Sequence, residues 1–279
     1  MAEQKKKVNI LLSILVVALI VAAYFIGNLT AKVQYLQKGS AATPAAAGTT
    51  PPAGAAAPTI TIAQIKDVFK KDVIKFGNAN SKLLLVEVSD PSCPYCHIAA
   101  GKDSALNKLV NPPQFVLMED GGTYVPPVPE MKKLLDAGKA AFVYIYDPGH
   151  GNGEMAVRAF YCAFEKGKFW EVHDLIMSEK GYEIQNGTDP AGQPATGPVV
   201  KNDKTKSGDL ATFLAPAIDP AFMKSCLESG KYDARLGADT QLASGLGVQG
   251  TPGFFVNATR FAGAYSFKDM QSAVDAALK

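Results

Sequence analysis

The chain has 279 residues, 47% of them hydrophobic, with a formal net charge of +2 and four cysteines. That length and apolar fraction suffice for one large domain or two small ones with a real core. The near-neutral charge argues against a nucleic-acid surface or a strongly acidic partner, and four cysteines are too few to frame a disulfide-built fold.

Lys5, Lys6 and Lys7 precede an almost unbroken apolar run from Val8 to Ile26. A cleaved signal peptide has an apolar core of only ~7–15 residues; this run approaches the ~20 that span a bilayer. Residues 1–37 are therefore expected to be a short basic cytoplasmic stub and an uncleaved transmembrane signal-anchor, with a long cleaved signal as the alternative. The lysines favour a cytoplasmic N-terminus and place the rest outside, at the cell surface or in a periplasm. Both readings put the body in an oxidising space, where disulfides persist. Residues 38–58, almost all of them "GSAATPAAAGTTPPAGAAAP", have no periodicity and read as a disordered, flexible linker. The folded body is expected over 59–279.

"TIAQIKDVFKKDVIKF" has helical apolar spacing after Thr61, a cap residue. "LLLVEVS" (Leu83–Ser89) reads as a buried strand. Cys93 to Leu109 reads as one helix, with Pro94 in its first turn, where a missing N–H costs nothing. "PEMKKLLDAGK" is a helix closed by Gly138, and "AAFVYIYD" is a second buried strand. Strand, helix and strand predict a parallel crossover in an α/β sheet. From Gly153 to Leu246 the pattern turns helical, with a turn-rich break from Tyr182. "GFFVNA" and "RFAGAY" form a hairpin around Asn257 to Thr259, and Phe267 to Leu278 is a closing amphipathic helix.

"SDPSCPYCHIAA" holds the sequence's chemistry. Cys93 falls at the helix N-terminus, where unpaired N–H groups and the dipole favour a thiolate and can lower a thiol pKa to ~3.5–7.5. Cys96 lies one turn on and can close a small ring. An exposed Cys93 thiolate would attack a disulfide and Cys96 would resolve the mixed disulfide, or the path runs in reverse. Structural zinc is the rival reading, but it normally takes four ligands, and Cys162 and Cys226 are isolated and far apart. No metal and no cofactor is expected. Glu87 interrupts the apolar strand. A carboxylate there is costly unless hydrated, paired or protonated, and desolvation would raise its pKa. It is a candidate proton acceptor for Cys96, an edge-strand Glu facing water being the alternative. Thr251-Pro252 immediately precedes an apolar strand; from spacing alone a trans bond is the default.

Taken together, "LLLVEVSDPSCPYCH", "DAGKAAFVYIYDP", "CAFEKGKFWEVHDLI", "FMKSCLESGKYDARLGAD" and "GVQGTPGFFVN" resemble the DsbA-like thiol–disulfide oxidoreductases of the thioredoxin-fold superfamily, from about Thr59 to the C-terminus. The resemblance implies a thioredoxin-like α/β fold with an inserted helical domain over about 150–246. It implies that Cys93 attacks and Cys96 resolves, that Glu87 is the buried acid below the pair, that Pro252 is a cis-proline beside the site, and that Thr251 offers its backbone to a bound substrate strand. Its partners would be secreted proteins bearing thiols or disulfides, and a membrane redox partner if it is an oxidase. Net oxidation is the favoured direction, because nothing resembles a dimerisation domain. An isomerase or reductase of the same fold and a non-catalytic binding module are the alternatives. Two departures stand out: Gly253 follows the proline and would loosen the groove, and the stretch from Lys102 to Val128 is longer than usual.

In an oxidising space with an even cysteine count, Cys162 and Cys226 are expected to pair, the alternative being two buried thiols. His97 reads as a solvated helix residue, electrostatic tuning of the pair being the alternative; His150 in "DPGHGNG" follows the second strand, near where α/β sites gather, and reads as a surface or structural residue; His173 and Trp170 read as packing residues.

Overall fold

A computed structural model describes residues 60–111 and 113–279. The expected anchor and linker lie outside the described residues; among those described, no helix is long and apolar enough to cross a membrane.

Thr61 caps α1 (Ile62–Val68) through a reciprocal pair with Gln64. The helix expected to continue to Phe76 ends there. Ile74–Phe76 instead form β1, antiparallel to β3 (Ala140–Tyr146), with Ile74 opposite Tyr144. Ile74 and Phe76 satisfy helical spacing and strand alternation alike. The open edge of β3 decides between them, because it lets Phe76 join Phe164 and Phe169, each 5.4 Å away between ring centroids.

β2 (Leu83–Ser89) is central in a five-stranded sheet of order β1-β3-β2-β4-β5. It runs parallel to β3 and antiparallel to β4 (Gly253–Val256), which turns into β5 (Thr259–Ala262). Every residue of β2 and β3 is buried, as expected of strands covered on both faces. Leu83 and Leu85 join the larger core; Leu84, Val86 and Val88 face α1 and the opposite core. By strand alternation Glu87 and Ser89 point to the larger core.

The helix expected from Cys93 to Leu109 is two. α2 (Pro94–Ala100) stops at Gly101, φ +64°, and Asp103 then caps α3 (Ser104–Leu109) with a 2.9 Å bond from Leu106 N. A side chain at Gly101 would collide with Pro126, so the chain must turn. The longer-than-usual stretch folds on itself: Ile98, Leu106, Phe115, Leu117 and Tyr124 make a small core of their own. α4 (Pro127–Asp136) then leads into β3.

Between β3 and β4 run α5 (Glu154–Glu165), α6 (Phe169–Ile176), α7 (Glu179–Asn186), α8 (Ser207–Phe213), α9 (Pro220–Glu228) and α10 (Asp233–Gly245). The break expected from Tyr182 begins later, after α7. Cys162 of α5 and Cys226 of α9 are joined in a disulfide, their Cα atoms 6.1 Å apart. α11 (Phe267–Leu278) closes the fold, burying Phe267, Met270 and Val274.

Candidate active site

The site forms where the central strand ends. β2 delivers the chain to Asp90, Pro91 and Ser92, and Cys93 stands at the N-cap of α2, with extended φ and ψ of −80° and 124° and Pro94 in the first turn. Cys96 follows one turn later. Both cysteines carry free thiols. The expectation of an exposed Cys93 needs correction: it is only 2% exposed. Its sulfur lies 3.4 Å from the Thr251 carbonyl and also meets His150.

The two thiols are driven apart. The neighbouring Cys96 thiol lowers Cys93 most, and the His150 side chain, the Thr251 hydroxyl and the Cys96 backbone N–H add to it. Together they outweigh burial and bring Cys93 down to about 5. Burial first, and then the neighbouring Cys93, push Cys96 well up. At neutral pH the outer sulfur is a thiolate and the inner one keeps its proton, the division that exchange through a mixed disulfide needs.

Asp90 fastens the surroundings. Its carboxylate is fully buried and accepts from Ser92 N at 2.8 Å, Ser92 Oγ at 2.7 Å, His150 N at 2.7 Å and Gly151 N at 3.2 Å. These bonds bring the loop after β3 over Cys93. The loop's glycines permit the approach: a Cβ at Gly149 would strike Thr251 Oγ1, and one at Gly153 would strike Asp90. Reading the sequence missed Asp90 and undervalued His150. The only available signal was the density of glycine around the histidine.

Thr251-Pro252 is a cis peptide bond, as the family resemblance implies and against the trans default from spacing alone. Gly253 does not loosen the groove: it is buried at the start of β4, where a Cβ would lie 3.3 Å from Val248. Beside the site a cavity of about 780 Å³ is lined by Phe115 and Tyr124, by Tyr265, and by Tyr95 and Thr251 of the site itself.

Glu87 is fully buried, opposite Tyr144 and Phe254 in the sheet, so the edge-strand alternative is excluded. Desolvation raises its pKa, opposed by His173 and Ser89. His97 is not solvated. It is buried between Pro91 O at 2.7 Å and Met177 O at 2.9 Å, and desolvation pushes it down to about 4. Among the described residues there is no cluster of His, Cys, Asp and Glu suited to a metal.

Residues 129–276 match a family model described as Thioredoxin. The chain belongs to this thioredoxin family. The matched span holds Thr251, Pro252 and His150 and begins after Cys93 and Cys96. A Rickettsia conorii chain named "Putative protein-disulfide oxidoreductase" is 26% identical over 78% of this chain and 65% of its own length. The Na(+)/H(+) antiporter NhaA 3 of Salinispora tropica is 25% identical over 71% of this chain, which spans only 24% of the antiporter. The mixed α/β fold is shared with solved structures. An alpha-DsbA1 variant of Wolbachia pipientis aligns at TM-score 0.53 and 15% identity, over 78% of this chain and 96% of that one. Oxidised BdbD of Bacillus subtilis aligns at TM-score 0.50 and 16% identity, over 80% and 97%.

Proposed function

We propose that the chain is an extracytoplasmic thiol–disulfide oxidoreductase of the DsbA type, tethered to the membrane by residues 1–37, that oxidises secreted proteins through Cys93 and Cys96. The observation that carries this reading is the division between the thiols: Cys93, at the N-cap of α2, held near 5, and Cys96, one turn on, held well up. The name of the Rickettsia relative supports the same activity.

In the oxidising direction a substrate thiolate attacks Cys93 of the Cys93–Cys96 disulfide. A substrate–Cys93 bond forms, the Cys93–Cys96 bond breaks, and Cys96 leaves as a thiolate that takes up a proton. A second substrate thiolate then attacks the substrate sulfur of the mixed disulfide and expels Cys93 as a thiolate. The substrate gains a disulfide and the enzyme pair is reduced by two electrons, which a membrane redox partner would remove. Stabilising the Cys93 thiolate stabilises the reduced enzyme, and that favours oxidation of the substrate. Thr251, before the cis-proline, presents backbone for an extended substrate segment to pair with.

The test is the redox equilibrium of the pair against glutathione. A potential near −120 mV supports an oxidase, and one near −270 mV supports a reductase instead. Cys93→Ser should abolish exchange and Cys96→Ser should trap mixed disulfides; full turnover by Cys93→Ser sinks the mechanism.

A further inference from the structure

Below Cys96 lies a column of polar atoms that the exchange steps alone leave without a purpose. Both Glu87 carboxylate oxygens, the Ser89 hydroxyl and His173 Nε2 are buried, and none has a hydrogen-bond partner. Such groups are costly to bury, and their occurrence in one place calls for a function. Three elements bring them together. Glu87 and Ser89 are two residues apart on β2, so they share the face that looks toward Cys96. Ser89 lies near both Cys96 and Glu87, its hydroxyl hydrogen-bonded to neither. Tyr144, opposite Glu87, packs on the rings of Phe160 and Phe169 at 5.3 and 5.7 Å. The His173 imidazole packs on the same two rings, at 5.6 Å from each. His173 therefore covers the carboxylate from α6.

The column has an outlet. His173 Nδ1 is 3.3 Å from Asp174 Oδ1. Asp174 is 42% exposed and is paired with Lys102 at 2.6 Å. Ser89 is near Cys96, His173 is near Glu87, and Asp174 beside His173 reaches solvent.

We propose that Ser89, Glu87, His173 and Asp174 form a proton route between Cys96 and the surface, with His173 as the link that lets the buried Glu87 exchange its proton. This rests on the exchange reading above. When Cys96 is expelled as a thiolate, Glu87 supplies its proton by way of Ser89, and His173 and Asp174 pass a replacement proton in from solvent. When Cys96 attacks a Cys93 mixed disulfide, the proton leaves by the same atoms. The thiol S–H breaks, a Cys93–Cys96 bond forms, and the other sulfur departs as a thiolate. The groups facing the route are Cys96 and His97 on α2, Tyr144 on β3, and Asp174 with its partner Lys102. His173 is a positioning residue: it acts on Cys96 only through Glu87.

The experiment uses reduced protein and glutathione disulfide, with acid quenching and mass spectrometry to time the Cys93–glutathione adduct. In His173→Gln and in Glu87→Gln the adduct should form at the wild-type rate but persist at least about tenfold longer near neutral pH. The difference should vanish toward pH ~9, where hydroxide removes the proton directly. The double variant should be no slower than the slower single one. A wild-type adduct lifetime and pH profile in His173→Gln overturns the route, whether or not Glu87→Gln is slow. Should His173→Gln fail to fold, Asp174→Asn tests the outlet, and an unchanged lifetime there is equally fatal. Failure of wild-type protein to form the adduct at all would instead refute the exchange reading.

Discussion

His150 stands beside the Cys93 sulfur on another loop, which the buried Asp90 carboxylate holds by accepting the His150 backbone N–H at 2.7 Å. Cys96 lowers Cys93 most, and His150 adds to that lowering while being raised itself, so His150 and Cys93 each stabilise the charged form of the other. With Cys93 brought to about 5, alkylation of reduced protein by iodoacetamide should rise with pH and reach half its maximum near that value. A hydrogen bond to a charged group is worth about 1.5–3 kcal/mol, so His150→Ala should move this midpoint up by about one to two units. An unchanged midpoint would remove His150 from the site. Asp90→Asn should move it in the same direction but less, by loosening the loop.

The same shift fixes how stability depends on redox state. The Cys93 thiol falls from an ordinary 9.0 to about 5 in the folded, reduced protein. A lowered acid stabilises the fold fully above its unfolded pKa and loses that contribution as pH falls through the folded one. The disulfide form lacks this term, and other titrating groups are largely common to both forms. The stability of the reduced relative to the oxidised protein should therefore drop by roughly 2 kcal/mol between pH 7 and pH 5. Denaturant unfolding of both forms measures it. A difference that is flat over this range contradicts a Cys93 thiolate.

The strands were legible because their signal is local. "LLLVEVS" and "AAFVYIY" are apolar throughout since both faces are covered, and short apolar runs bounded by turns say so directly. β1 was not legible. Ile74 and Phe76 fit a helix equally well, and only the free edge of β3, distant in sequence, selects the strand. The site divides in the same way. Cys93, Cys96 and Glu87 sit in one contiguous stretch and announce themselves by spacing and by a charge among apolar residues. His150, Asp90 and His173 look like an ordinary loop, turn and packing residue until the sheet brings them together. His173 in particular occupies an apolar helix face where packing is the simpler explanation, and its unpaired Nε2 exists only in three dimensions.

The Cys162–Cys226 disulfide ties α5 to α9 across a sequence separation of 64. Chain-entropy reasoning gives about 4 kcal/mol for a loop of that size. Both cysteines lie in the larger core, on helices other than the one that carries Cys93 and Cys96. Replacing both cysteines with alanine should lower unfolding free energy by about 2–4 kcal/mol, measured by denaturant titration of oxidised protein, while exchange with glutathione disulfide stays near the wild-type rate. A matching loss of exchange in folded protein would show that the bond shapes the active site as well.

The cavity beside Thr251 separates recognition from chemistry. Tyr265 stands in its wall, 44% exposed and edge-on to Phe261 at 5.6 Å, and it comes from the loop after β5. Glutathione disulfide needs only the cysteines, whereas a protein segment must also lie across this aromatic wall. Apolar contact of this kind yields about 25 cal/mol per Å² buried, so losing part of one exposed ring should weaken a peptide complex by about 1–2 kcal/mol. Tyr265→Ala should accordingly slow exchange with a cysteine peptide flanked by apolar residues by roughly tenfold, and leave exchange with glutathione disulfide within about twofold of wild type. Equal losses with both reagents would mean that Tyr265 supports the fold through Phe261. Equal retention would mean that substrate takes another path to Cys93.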